Sequence, residues 1–278
     1  MKTPETNEIQ EPEQKSELTR RTFFKKASIA GVGALAFGGI LSAAAQAKDF
    51  DWDYKHNGLK RSDRDILIAA EIAEALAVTT YTNIINNAPF FKNLEDDDQG
   101  YLKGARQEEM SHYLLEQSVT NQPSPFTKFF YPPQMFDDAQ TTLNVLVTLE
   151  DAFIAAYLVG VRDFVDPNLR LTAARIMGIE SDHRTLARVV APGVAPADGG
   201  PIEKITGFAG VAESVDPPNN NGYERTLCWT KIDQAVQALL PFVDVNTAAK
   251  AGFDISKSFH FKPFTPTLPS TLGEFVSC

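Results

Sequence analysis

An all-α fold, a four-helix bundle with one long crossover, is predicted from three observations. Four stretches of about 20–25 residues have helical composition and end signals. Their links run short, long, short. The two halves also repeat one pattern, Glu-x6-Tyr followed by Glu-x-x-His. The bundle is expected over residues 62–190, with its two hairpins related by approximate two-fold symmetry.

The first helix is expected from Ser62, in a capping box with Asp65, to about Asn86, where Asn87-Ala88-Pro89 stops it. The second opens on Asp96-Asp97-Asp98, which favours the helix dipole, and runs to about Val119. Residues 120–139 hold four Pro and five aromatics and read as one long ordered connection covering the core. The third helix spans about Gln140 to Phe164. The fourth starts at Asp166-Pro167, an N-cap with Pro at the first helical position, and ends near Val190 before Pro192. Residues 191–278 are expected to be loop over 191–225, a short amphipathic fifth helix over Lys231–Phe242, and an extended tail packed on the bundle.

Ahead of the bundle, residues 48–61 form a lead-in, and residues 1–47 read as an export signal. Thr19-Arg20-Arg21-Thr22-Phe23-Phe24-Lys25-Lys26 precedes an uncharged Ala/Gly-rich run that closes on Ala45-Gln46-Ala47, a small-x-small cleavage pattern. The paired arginines with Phe and Lys in register resemble a twin-arginine signal, which implies the Tat export machinery as partner and a periplasmic or extracellular location. If uncleaved, the run is just long enough to be a weak membrane anchor.

The chain carries 26 Lys+Arg and 36 Asp+Glu. The signal holds six basic and five acidic residues, so the remainder, with 20 basic and 31 acidic, is the more acidic part. This balance argues against a nucleic-acid partner. No Gly-rich loop opens a helix as nucleotide binding requires. Two Cys exclude a four-Cys zinc or rubredoxin-type iron site. Cys228 and Cys278 could pair after export, or stay free thiols.

Glu109–His112 lies on the second helix and Glu180–His183 on the fourth. In each pair a carboxylate and an imidazole stand one turn apart on one helix face, so both reach the same inward site. The other two helices each carry a lone inward Glu. Glu150 is flanked by Leu146, Val147, Phe153, Ile154 and Tyr157, and Glu74 by Ala70, Ala77, Val78 and Tyr81. A carboxylate in such surroundings is costly unless protonated, paired or bound to metal. Four Glu balance the charge of two divalent cations. Glu71, one turn before Glu74 on the same face, is the rival ligand, and Glu108 points about 100° away from Glu109 and is expected in solvent. His56 and His260 are expected at the surface.

With these residues the chain resembles the ferritin-like superfamily of di-iron and di-manganese carboxylate bundles, over about residues 62–190. The resemblance implies a ferritin-like four-helix bundle. It also implies two iron or manganese ions held by Glu74, Glu109, His112, Glu150, Glu180 and His183, with Glu109 and Glu180 bridging or chelating both. Tyr81 and Tyr157 would hydrogen-bond ligand carboxylates across the bundle. Redox chemistry on O2 or H2O2, of ferroxidase or catalase-like kind, would follow. Metal binding without turnover, as in stress- or desiccation-related exported relatives, and a metal-free structural bundle are the alternatives. The C-terminal extension is expected to block assembly into a large hollow cage.

Overall fold

A computed structural model describes residues 59–190, 207–208, 211–212, 224 and 226–273. The export signal, most of the lead-in, His56 and Cys278 lie outside the described residues. The bundle consists of α1 (Arg61–Asn87), α2 (Asp96–Thr120), α3 (Ala139–Asp163) and α4 (Pro167–Val190). A 3-10 turn, Pro89–Asn93, links the first pair. Each end lies within a residue or so of the position its composition indicates.

The start of α1 differs from expectation. Its N-cap is Lys60, which makes no side-chain cap, and Ser62 lies inside the helix. The first-turn acid has another partner instead. Buried Asp63 accepts hydrogen bonds from the backbone N–H of Val165 (2.7 Å) and Asp166 (3.1 Å), tying this helix end to the α3–α4 turn. Charge-assisted bonds to otherwise orphaned N–H groups outweigh a local cap. At the start of α4, Asp166 accepts from Asn168 N–H at 2.8 Å, as a capping Asp does.

The α3 helix is apolar nearly all round because it faces the other helices and the C-terminal elements. It is the one helix among the described residues long and apolar enough to cross a membrane, and most of that stretch is buried inside the bundle. Each buried Leu or Phe here contributes roughly 1.5–3 kcal/mol.

The crossover returns the chain along the bundle, so α3 begins where α1 ends. Leu143 and Val145 accordingly share a core with Ile84 and Leu102. The crossover is ordered as expected, and it carries β1 (Lys128–Phe129). The tail supplies β4 (Phe259–His260), antiparallel to β1, with Lys128 opposite His260 and Phe129 opposite Phe259. Between them lie α5 (Ile232–Val243) and α6 (Val245–Lys250), the second unforeseen because it is only six residues long. Asp244 ends α5 and caps α6 by accepting from Thr247 N–H at 2.8 Å. Tyr131 packs edge-on against Phe136, Phe242 and Phe259, sealing this end of the bundle with aromatic rings.

Within the segment expected to be loop, β2 (Gly207–Phe208) pairs with β3 (Val211–Ala212). His260 is exposed, as expected, and Cys228 is an exposed free thiol.

Candidate metal centre

The six chemistry-bearing side chains converge at mid-bundle, and all are buried. Glu74 comes from α1, Glu109 and His112 from α2, Glu150 from α3, and Glu180 and His183 from α4. They form two groups. Glu74, Glu109, His112 and Glu180 offer ligand atoms within 4.8 Å of one another, and Glu109, Glu150, Glu180 and His183 do the same. Glu109 and Glu180 belong to both.

The imidazoles turn Nδ1 toward this cluster. His112 Nδ1 lies 3.2 Å from Glu180 Oε1, and 3.6 Å from both Glu74 Oε2 and Glu109 Oε2. None of these four atoms makes a hydrogen bond, because the directions are wrong even where the distances are short. On the other side, His183 Nδ1 lies 2.9 Å from Glu109 Oε1 and 3.3 Å from Glu180 Oε2. Glu109 Oε1 and Glu150 Oε2 are likewise without a hydrogen bond. Buried lone pairs that converge without donors are a rare arrangement in a folded core, and one that cations satisfy.

The protonation pattern of the metal-free protein follows from this crowding. Burial, then the charges of Glu109 and Glu180, push Glu74 and Glu150 well above the usual carboxylate range. Burial would raise Glu109 as well, but the His183 charge and the close approach of Glu74, His112 and His183 hold it low. Burial works against charging the two His. The charge of Glu74 at His112, and of Glu109 at His183, overcomes it and raises both. Protons thus do the work of cations here, and metal ions would displace them.

Two tyrosines orient the carboxylates from the opposite hairpin. Tyr81 of α1 donates to Glu150 Oε1 at 2.8 Å. Tyr157 of α3 bridges Glu74 and, at 2.7 Å, Glu116 Oε1: its one proton goes to one carboxyl, and the other, protonated, donates to its oxygen. Both hydroxyls are buried and hard to ionise, so they stay donors.

Three residues near the site, Glu108, Glu116 and Arg184, went unrecognised or were misplaced, and Glu71, the rival to Glu74, has another partner. Glu108 is not simply solvated. Its side chain is 37% exposed, yet Oε2 lies 2.8 Å from His183 Nε2, fixing the tautomer that leaves Nδ1 facing inward. The bond to His183 keeps the Glu108 carboxyl below its usual range. Glu71 is buried but outside both groups, accepting from Thr120 instead. Glu116 is buried beside Tyr157, and its other oxygen has no hydrogen bond. Arg184, fully buried on α4, donates to Asp151 of α3 at 2.6 Å and to Glu224.

Glu71, Glu108 and Glu116 were detectable as breaks in the internal repeat. Their counterparts in the second half are Val147, Ile179 and Ala187. Glu71 and Glu116 lie on the Glu74 side of the site, whereas Glu108 serves His183 on the Glu150 side.

Glu71 gives a pH-dependent signal that stands apart from the six. Burial raises its carboxyl to about 8, against smaller lowering by Thr120 and Arg64. A folded-state value above the unfolded one means that the fold favours the protonated form. Stability from this group is therefore full below about pH 4.5 and is lost as pH rises toward about 8. Glu71→Gln keeps the acceptor for Thr120 and removes the titration. Thermal melts of the metal-free protein should show the variant gaining on wild type from pH 5 to pH 8. A constant difference would refute this assignment.

A family model described as a ferritin-like domain matches residues 62–191. The comparison with curated proteins finds no match.

Proposed function

From the premise that residues 62–191 form a ferritin-like domain, we propose that the chain binds a dinuclear centre of iron or manganese. Glu74, Glu109, His112, Glu150, Glu180 and His183 are its ligands. The observation that carries this reading is the pair of four-residue groups sharing Glu109 and Glu180, an arrangement suited to two ions rather than one. Oxygen and imidazole donors suit iron and manganese. Four carboxylates match the charge of two divalent ions, which would offset the burial and the mutual repulsion that raise Glu74 and Glu150.

When bound, such a pair would supply electrons to O2, as in ferroxidase chemistry, or would give electrons to one H2O2 and take them from another, as in catalase-like chemistry. The chain's own residues set its terms. Tyr81 and Tyr157 hold Glu150 and Glu74 in place by hydrogen bonds. Glu108 fixes the His183 ring. The apolar side chains around the six exclude bulk water and sharpen every electrostatic contact.

Metal analysis after reconstitution tests the binding, and about two ions per chain is the expected result. Oxygen uptake on adding Fe(II), and peroxide dismutation by the manganese form, test the turnover. Two ions without either rate would leave a metal-binding role, as in the stress-related reading. No ions would leave a structural bundle.

Export through the twin-arginine route belongs to the same reading, because that route carries folded proteins with their cofactors in place. Arg20→Lys with Arg21→Lys should leave the chain in the cytoplasm, as fractionation would show. Unchanged export of the double variant would rule the route out.

A further inference from the structure

The internal repeat would make the two halves of the centre alike, yet they are built differently. In the half formed by Glu109, Glu150, Glu180 and His183, the imidazole is held from behind, with Glu108 Oε2 2.8 Å from His183 Nε2. In the half formed by Glu74, Glu109, His112 and Glu180, the ring lacks such a partner. Among the described residues, the carboxylates within 4.0 Å of His112 are Glu74, Glu109 and Glu180, each nearest to Nδ1. The repeat explains the difference. Glu108 precedes Glu109 on α2 and crosses to His183 on α4. The matching position, before Glu180 on α4, is Ile179, which offers His112 no acceptor.

Other contacts differ in the same direction. Tyr81 donates to Glu150, whereas Tyr157 is shared between Glu74 and Glu116. The chain behind the Glu150 half is also pinned. Asp151, Ser181 and Arg184 each follow one of its ligands, Glu150, Glu180 and His183. Arg184 donates to Asp151 at 2.6 Å and to Glu224, and Ser181 donates to Glu224 as well. Thr226 donates to the Asp151 carbonyl at 2.6 Å. The counterparts in the first half are Ala75, Met110 and Tyr113, which carry no charge to pair.

A ligand already held in its binding orientation loses less freedom on binding. An acceptor at the far imidazole nitrogen also makes the ring a stronger donor to metal. We propose that the two halves hold metal with unequal affinity, and that the half containing Glu150 and His183 fills first. This order rests on the dinuclear reading. Glu108 is a positioning residue for that half, because it acts through His183. Glu71 and Glu116 stand on the other side but offer neither group a ligand atom.

Mn(II) is the probe. Its free EPR signal, followed as the ion is added to the full metal-free chain, reports binding without turnover. Two ions that share carboxylates repel, so wild type would fill in two steps even with equal halves. Variants that keep one half remove this ambiguity. His112→Ala keeps the Glu150 half, and His183→Ala the other. The first is expected to hold its ion about 10- to 100-fold more tightly than the second.

Glu108→Leu should erase that advantage in the His112→Ala background and change nothing in the His183→Ala background. Glu108→Gln, which keeps an acceptor, should preserve most of it. Ile179→Glu, which supplies the missing partner, should tighten the ion that His183→Ala retains. If a histidine variant melts below the assay temperature, Glu108→Leu alone decides, by weakening the first step of the wild-type titration. Equal affinity in the two histidine variants, tighter binding by His183→Ala, or indifference of the Glu150 half to Glu108→Leu would overturn the proposal and leave the dinuclear reading standing. No Mn(II) bound by wild type would end both.

Discussion

Replacing Glu109 by Ala is expected to leave the reconstituted protein with no bound ion, the largest effect of any single change at the centre. Glu109 belongs to both candidate ligand groups, so its loss strips each to three donors and removes the negative charge that two ions would share. Glu180→Ala should behave alike, as the other common member. Glu74→Ala and His112→Ala touch one group only, and Glu150→Ala and His183→Ala the other. Each of these four should retain about one ion, with the remaining one weakened through the shared carboxylates. Elemental analysis per chain distinguishes the classes. Two ions retained by Glu109→Ala would mean that the metal sits elsewhere.

For the scaffold, the largest loss of stability is expected from Arg184→Met. Its guanidinium is fully buried and pairs with Asp151 at 2.6 Å and with Glu224. Removing one partner of a buried ion pair leaves the other charge uncompensated, at a cost of roughly 3–5 kcal/mol. For a domain of this size that lowers Tm by on the order of 10 °C. Replacing Asp151 by Leu in the same chain should recover much of the loss, because the stranded charge goes with it. Thermal unfolding of the single and double variants is the measurement. A double variant no better than the single would show that the network matters through Glu224 instead.

The helices were legible because their ends carry chemistry as well as hydrophobicity. Asp96-Asp97-Asp98 and Asp166-Pro167 announce starts, and Asn87-Ala88-Pro89 a stop. Ser62 misled because Asp63, the residue beside it, is used by a turn a hundred positions away, which no local rule detects. Glu74, Glu109, His112, Glu150, Glu180 and His183 were readable together because a repeat marks them twice over. Arg184 and Asp151 have no such mark. A charged residue on a helix looks the same in sequence whether it faces solvent or a partner on the next helix. Glu108 escaped for a geometric reason: its backbone position points away from Glu109, yet a long side chain from that position still reaches His183.

The tyrosine ties cross over. Tyr157 of the second hairpin grips Glu74 of the first, and Tyr81 of the first grips Glu150 of the second. Each half therefore holds a ligand that belongs to the other half's group, like two hands laced at the fingers. Neither hairpin can slide against its neighbour without pulling on both halves of the centre at once. The approximate two-fold relation is thus a mechanical linkage as well as a repeat in the sequence. It makes the spacing between the two halves of the centre a property of the interface between hairpins, and of no single helix.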